Sequence, residues 1–244
     1  MSGKWLVTGA NGYLGGEVCR GLQKEDYDVC ALARPGHTLD SLEKCGVTCH
    51  SYDALPGLMA EGDVFVHCAG KVCDTGLWDD YQQINVDWTL SLYEQAIQRG
   101  ARCFVYVSSV AALGYSKRQS DIDLDESDEP LLTTGELYGR SKLLAEQALQ
   151  QRSRTAQTRL VILRPGFIYG RRPLAPSQRW LRRGSIVDPN QRVPLVHVDN
   201  FLSALTRTGK DTNASGIFLF VDDEQPMLGE LNALKLEYGI LPDP

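Results

Sequence analysis

Hydrophobic and polar positions follow two periods along this chain. Short apolar runs at 4–8, 28–33, 47–50, 64–68, 102–108 and 159–164 are rich in Val, Leu, Phe and Cys and are bounded by Gly, Asp, Ser or Pro, so each predicts a strand. They are continuous rather than alternating, as a sheet covered on both faces requires. Between them lie candidate helices over 14–24, 39–45, 78–99 and 138–152. In the last, Leu143, Leu144, Gln147, Ala148 and Gln151 keep helical spacing, with Lys, Arg and Glu elsewhere on the surface. Strand and helix in this succession give right-handed parallel crossovers and a doubly wound α/β sheet. Past Gly170 the pattern loosens, and the chain ends with a strand at 193–198, a helix over 199–207, a strand at 217–221 and a helix over 227–238. The expected division is 1–170 for the main fold and 171–244 for a small C-terminal substrate-binding lobe, of which about 193–221 return to the sheet.

Composition narrows the picture. The chain has 244 residues, 43% of them apolar, with 25 Lys+Arg against 31 Asp+Glu and a net charge of −6. That is the make-up of an ordinary globular protein. The acidic balance argues against nucleic acid, whose binding needs a basic face. No apolar run is long enough to span a bilayer, so no membrane partner is expected. Met1 to Lys4 lead directly into Trp5, which leaves no room for a leader and implies a cytoplasmic protein. Cys19, Cys30, Cys45, Cys49, Cys68, Cys73 and Cys103 form an odd set without CxxC pairs or a His at zinc-ligand spacing, and they read as reduced thiols. The acidic stretch 121–129 lacks a calcium-loop pattern and reads as a solvated loop, so no metal site is expected.

Candidate chemistry begins after the first strand, at Thr8-Gly9-Ala10-Asn11-Gly12-Tyr13-Leu14-Gly15-Gly16. Gly9, Gly12 and Gly15 permit a tight turn, close backbone approach to a pyrophosphate and close packing of helix on strand. The helix N-terminus supplies N–H groups and a positive dipole end for the anion. A glycine trio between a strand and a helix thus predicts a dinucleotide cradle of the Rossmann type, lined by Gly9, Asn11, Gly12, Tyr13, Leu14 and Gly15. At the end of the second strand, where a carboxylate would bind the ribose 2′-OH, the chain has Ala33 followed by Arg34. This pair suits the 2′-phosphate of NADP(H); if Arg34 is only a surface arginine, NAD(H) is the alternative. Asp53, with Ala54 after the third strand, meets the adenine edge or caps a turn.

Tyr138 and Lys142, four residues apart, project from one face of a helix. Ser108 and Ser109 end a strand at the C-terminal edge of the sheet, where open α/β folds bind ligands. These features together resemble an extended short-chain dehydrogenase/reductase, of the NAD(P)-dependent epimerase/dehydratase superfamily and its 3β-hydroxysteroid dehydrogenase and dihydroflavonol reductase-like branch. The match runs from about Lys4 to Tyr238. Thr8 to Gly15 resembles the family's TGxxGxxG loop, His67-Cys68-Ala69-Gly70 its strand-four motif and Ile84-Asn85-Val86 its central-helix asparagine. Val107 to Gly114 resembles the serine strand, Tyr138 to Lys142 the YxxxK motif, Arg164-Pro165-Gly166 the segment beside the nicotinamide, and Val196 to Asp199 a late structural motif.

The resemblance implies that Ser109, Tyr138, Lys142 and Asn85 form the catalytic set, and that Cys68, Ala69, Gly70, Pro165, Gly166, Tyr138 and Lys142 join the cofactor site. Chemistry supports these roles. Free tyrosine is a poor base at neutral pH, and a neighbouring ammonium and an oxidised nicotinamide ring would favour its phenolate. Tyr138 would exchange a proton with the substrate oxygen, Ser109 would hydrogen-bond that oxygen, and Lys142 would also hold the nicotinamide ribose. Asn85 would support the helix or a relay water. His67 and His197 match structural positions and receive no catalytic role. By the same resemblance, helices 78–99 and 138–152 form the contact of a homodimer.

Substrate walls are expected from Lys71, Cys73, Trp78, Ala111, Leu113, Tyr115, Phe167, Tyr169, Arg172 and Trp180, a mix suited to a partly apolar carbonyl compound or its alcohol. Between 171 and 192 six arginines stand against one aspartate. They are either a solvated helix face or a grip for a phosphate-bearing or carrier-bound substrate. Val110 and Ala111 occupy positions where the family's dehydratases place acidic residues, and only 74 residues follow Gly170, fewer than epimerases carry. The expected reaction is therefore NADP(H)-dependent reduction of a ketone or aldehyde, with nucleotide-sugar epimerisation or dehydration second and an inactive NADP-binding sensor third.

Overall fold

The computed structural model describes residues 3–72, 75–114, 125–133, 135–170, 190 and 192–231. The first half alternates β1 (Trp5–Thr8), α1 (Tyr13–Lys24), β2 (Val29–Ala33), α2 (Asp40–Glu43), β3 (Thr48–Ser51), α3 (Leu55–Leu58) and β4 (Val64–His67). Then come α4 (Trp78–Tyr81), a π-helical segment (Gln82–Asp87), α5 (Trp88–Gln98), β5 (Cys103–Val107), a 3-10 turn (Val110–Leu113), α6 (Leu137–Ser153) and β6 (Arg159–Pro165). The chain continues through β7 (Phe167–Tyr169), β8 (Leu195–His197), α7 (Val198–Lys210) and β9 (Gly216–Phe220). Seven strands pair in parallel in the order β3-β2-β1-β4-β5-β6-β9, which is the doubly wound Rossmann arrangement.

The continuous apolar strands are explained by what lies on each face. Trp5, Val7, Val64, Val66, Val105, Val161 and Leu163 point into a layer closed by Val18 and Leu22 of α1 and Phe201 and Leu205 of α7. Their neighbours Leu6, Phe65, Phe104, Tyr106 and Ile162 point the other way, against Leu92 and Tyr93 of α5 and Ala145 and Leu149 of α6. Successive residues of one strand thus belong to different cores. Burying each such side chain contributes roughly 1.5–3 kcal/mol.

The helix expected over 78–99 forms over 78–98 and carries a π-helical segment, Gln82–Asp87, within it; as it passes into α5, Thr89 Oγ1 donates to Asn85 O at 2.7 Å. Such widened turns recur at functional sites. Of the two strands expected to return to the main sheet from 193–221, only β9 does so. β8 pairs in parallel with β7 in a second, two-stranded sheet. The fork lies at Gly166, whose N–H still donates to Phe220 O at 2.9 Å while the next N–H, of Phe167, donates to Pro194 O at 2.7 Å. A side chain at Gly166 would collide with that Pro194 carbonyl. Asp222 then ties the small sheet to α7, accepting from His197 N–H at 2.9 Å and Asn200 Nδ2 at 2.8 Å. The segment 171–189 and most of the helix expected over 227–238 lie outside the described residues.

Candidate active site

The site is assembled at the C-terminal edge of β1, β4 and β5. Gly9 has φ +72°, and a Cβ there would lie 2.8 Å from Ala69 N, so both the turn and the neighbouring strand end demand glycine. A side chain at Gly15 would strike the Gly9 carbonyl, which lets α1 start directly beneath the loop. Gly12 is the N-cap of α1, its extended backbone leading into Tyr13 and Leu14, and it carries no side chain to occupy the first-turn N–H groups. This is a cradle with the donors, dipole and space that a pyrophosphate needs. Asn11 lies at its exposed tip, 3.4 Å from His37 Nδ1.

Arg34 is exposed at the end of β2, directly after the buried Ala33. Asp53 is exposed beyond β3, where its N–H donates to Ser51 Oγ, with half-buried Ala54 next to it. The neighbouring Tyr52 was not anticipated. Its hydroxyl accepts from Gly9 N–H at 3.0 Å, and its ring lies against Trp88 at 4.9 Å, so the turn that follows β3 braces the glycine loop. Cys68, Ala69 and Gly70 follow β4; burial pushes the Cys68 thiol up to about 12, which keeps it neutral. A Cβ on Gly70 would sit 3.2 Å from Asn85 Oδ1 and 3.6 Å from Lys142 Nζ, so this glycine keeps the space in front of both side chains open.

Lys142 is 4% exposed. Its Nζ donates to Val107 O at 2.8 Å and lies 4.6 Å from the Tyr106 ring centre and 5.8 Å from that of Tyr138. Burial lowers it to about 8, with Cys68 and Glu146 opposing that shift. Tyr138 is half-buried in the first turn of α6. Ser109 caps the 3-10 turn, its Oγ accepting from Ala111 N–H at 3.1 Å, while Ser108 is buried and donates to Glu146. Glu146 also makes a two-pronged ion pair with Arg164, 2.7 Å at the closer contact, and both are at most 5% exposed. This pair joins α6 to β6 one turn beyond Lys142, and breaking one partner of such a pair is strongly destabilising.

Asn85 occupies the π-helical segment, and both its side-chain oxygen and its nitrogen are hydrogen-bonded. Its Oδ1 accepts from Lys71 N–H at 2.7 Å, and its Nδ2 donates to Lys71 O at 2.9 Å and Ser141 Oγ at 2.8 Å. Ser141 was not anticipated, nor was Gly139, where a side chain would collide with the Ala111 carbonyl. Gly139 lets α6 pack on the turn that Ser109 begins. The signal for both lay inside the tyrosine–lysine motif, in the residues between its ends.

Below this, His67 is fully buried and holds a directed chain. Ala69 N–H donates to Thr8 Oγ1 at 3.4 Å, Thr8 Oγ1 meets His67 Nδ1 at 2.7 Å, and His67 Nε2 meets Thr89 Oγ1 at 2.9 Å. Since Thr89 gives its proton to Asn85 O, His67 carries its hydrogen on Nε2. Burial, reinforced by Lys142, lowers His67 to about 3.

The expected substrate walls are distributed unevenly. Lys71 Nζ is paired with Asp80 at 2.5 Å, and Trp78 lies under the Arg140 guanidinium at 4.4 Å. Ala111 is half-buried, its N–H and carbonyl used by Ser109 and Gly114. Leu113 is fully buried and packs the 3-10 turn instead of lining an open surface. Pro165 ends β6 and Gly166 opens the fork; Phe167 is half-buried beyond it, and Tyr169 donates to Asp222 at 3.0 Å. Cys73, Tyr115, Arg172 and Trp180 lie outside the described residues. A cavity of about 730 Å³ lies away from this site, beside Gln147, Arg154 and Ser215.

A model of the NAD dependent epimerase/dehydratase family matches residues 5–214. The chain belongs to this family. Among relatives, UDP-glucose 4-epimerase of Vibrio cholerae is 25% identical over 93% of this chain and 73% of its own length. Ketoreductase sphI of Aspergillus fumigatus is 28% identical over 83% of this chain and 73% of its own. Thermus thermophilus UDP-glucose 4-epimerase, solved with NAD, has a TM-score of 0.79 at 20% identity, covering 98% of this chain and 85% of that one. The family thus includes both reductases and epimerases, and it supports an NAD(P)-dependent enzyme. Among the described residues, no helix is long and apolar enough to cross a membrane.

Proposed function

We propose that this family member is an NADP(H)-dependent reductase of ketones or aldehydes, working in reverse on the corresponding alcohols. The observation that carries this reading is the end of β2, where exposed Arg34 follows buried Ala33 and no carboxylate is present to receive a ribose 2′-OH. A guanidinium there pairs with a 2′-phosphate. The bound dinucleotide would supply or accept the hydride. Tyr138 donates a proton to the carbonyl oxygen in reduction and removes it from the alcohol in oxidation. Ser109, whose Oγ accepts from Ala111 N–H, donates its hydroxyl proton to that oxygen and steadies the charge developing there. Lys142 favours the phenolate and holds the nicotinamide ribose, while Asn85 keeps α6 in register through Ser141. The ketoreductase relative supports this reading. The epimerase relatives favour an internal redox cycle with no net use of cofactor, but Val110 and Ala111 offer no acid for dehydration. We further take the enzyme to be a cytoplasmic homodimer joined through α5 and α6.

A panel of carbonyl compounds and nucleotide sugars, with NADPH consumption and product mass both recorded, tests the reaction. Reduced product with stoichiometric NADPH consumption is expected. An isomerised or dehydrated product without net consumption would replace this reading with the epimerase one.

A further inference from the structure

The turn after β2 has a composition and a geometry that go beyond one arginine. His37 N–H donates to Arg34 O at 3.2 Å, and Gly36 has φ +82°. Pro35 and Gly36 therefore occupy the two central positions of a type II turn, one fixing φ near −65° and the other supplying the left-handed residue. Such a turn holds its first and last side chains, Arg34 and His37, at the same edge of the sheet. Thr8 of β1 lies beside Leu32 of β2, so the glycine loop ends next to this turn, and Asn11 Nδ2 reaches His37 Nδ1 at 3.4 Å. An adjoining cavity of about 220 Å³ is lined by Arg34, His37, Asp40, Glu43, His50 and Ser51. Arg34, His37 and Asn11 thus converge where the adenine ribose would lie over the cradle.

We infer that His37 is a second ligand, alongside Arg34, for a phosphate monoester on that ribose, and that it makes discrimination between NADP and NAD depend on pH. This rests on the NADP reading above and adds a specificity-determining residue to it. Imidazole changes charge between about pH 5 and 8. The charged side chains around it are Arg34 of the same turn and Asp40 and Glu43 of α2. From β3, His50 faces the cavity, and Cys49 is a neutral thiol pushed up to about 11 by burial. On protonation, His37 turns Nδ1 into a donor, and the Asn11 amide can rotate to present its oxygen to it.

The phosphate itself gains charge near pH 6, so the effect of His37 is read against a variant and not against pH alone. Calorimetric titration with NADP+ and NAD+ at about pH 5.5 and about pH 8, on the full chain and on His37→Gln and Arg34→Ala, separates the terms. We expect His37→Gln to weaken NADP+ binding about tenfold at the lower pH and less than about twofold at the higher, with NAD+ binding unchanged. His37→Gln losing the same factor at both pH values, losing nothing at either, or losing NAD+ affinity in parallel would overturn the inference while leaving Arg34's role intact. Equal binding of NADP+ and NAD+ by the parent chain at both pH values, unaltered in Arg34→Ala, would instead overturn the NADP reading beneath it. His37 is exposed on a turn, and unchanged NAD+ binding reports that the variant is folded.

Discussion

Asn85 and Ser141 are linked by a 2.8 Å hydrogen bond between two buried side chains 56 residues apart, and Ser141 passes the connection to the Tyr138 carbonyl at 2.7 Å. The central-helix asparagine therefore acts on the helix that carries Tyr138 and Lys142 by holding its first turn. Asn85→Ala would leave both Lys71 backbone groups and Ser141 without this partner. Loss of about 1–3 kcal/mol in urea denaturation is expected, against about 1 kcal/mol for Ser141→Ala. The double variant should cost less than the sum of the two, because they share one bond.

Gly139→Ala tests how closely α6 must approach the serine turn. The added methyl meets the Ala111 carbonyl, whereas at Gly135 it meets nothing within 4 Å. Gly139→Ala should cost about 1–3 kcal/mol and reduce turnover, and Gly135→Ala should leave both measurements near parental values. Equal behaviour of the two variants would show that the approach does not matter.

Tyr138→Phe keeps the ring and removes the phenol. Turnover should fall below detection while cofactor affinity, read by titration, stays within about twofold, the pattern left by removing an acid–base group.

His67 imposes an acid limit on stability. Its folded value, about 3, lies below the ordinary 6.5, so between these pH values the unfolded chain binds the additional proton. The contribution is fully present above about pH 6.5 and is lost progressively as pH falls toward 3. Denaturation midpoints of the parent chain should drop more steeply across this window than those of His67→Gln. Parallel profiles would count against a buried neutral imidazole.

Lys142 gives the opposite end of the pH range. Its folded value, about 8, lies below the ordinary 10.5, so the unfolded chain again holds more protons between the two. The cost of burying the ammonium is constant below pH 8 and is relieved as pH rises toward 10.5. In the cofactor-free protein, stability relative to Lys142→Met should therefore rise through that window, as urea titrations at stepped pH would record.

The nucleotide half was legible in the sequence because its constraints are local. Gly9 needs a left-handed turn, Gly15 needs closeness, and both needs are visible in a run of eight residues between an apolar strand and an amphipathic helix. The strand ends moved by a residue or so. Tyr52 was passed over because a hydroxyl meeting Gly9 from 43 residues away leaves no periodic trace, whereas the neighbouring Asp53 invited attention by its charge. The contacts around Asn85 were equally hidden, since they run through Thr89 to His67 of another strand. Leu113 was read as a pocket wall because an apolar residue near a site looks the same in sequence whether it faces a ligand or the protein interior.

The fork at Gly166 has a consequence for how such a chain can diversify. Everything between β7 and β8 leaves from and returns to the same two-stranded ribbon, so its length and chemistry can change without altering the register of the seven parallel strands. The two sheets of the chain thus part at one residue, Gly166, whose place against the Pro194 carbonyl admits no side chain.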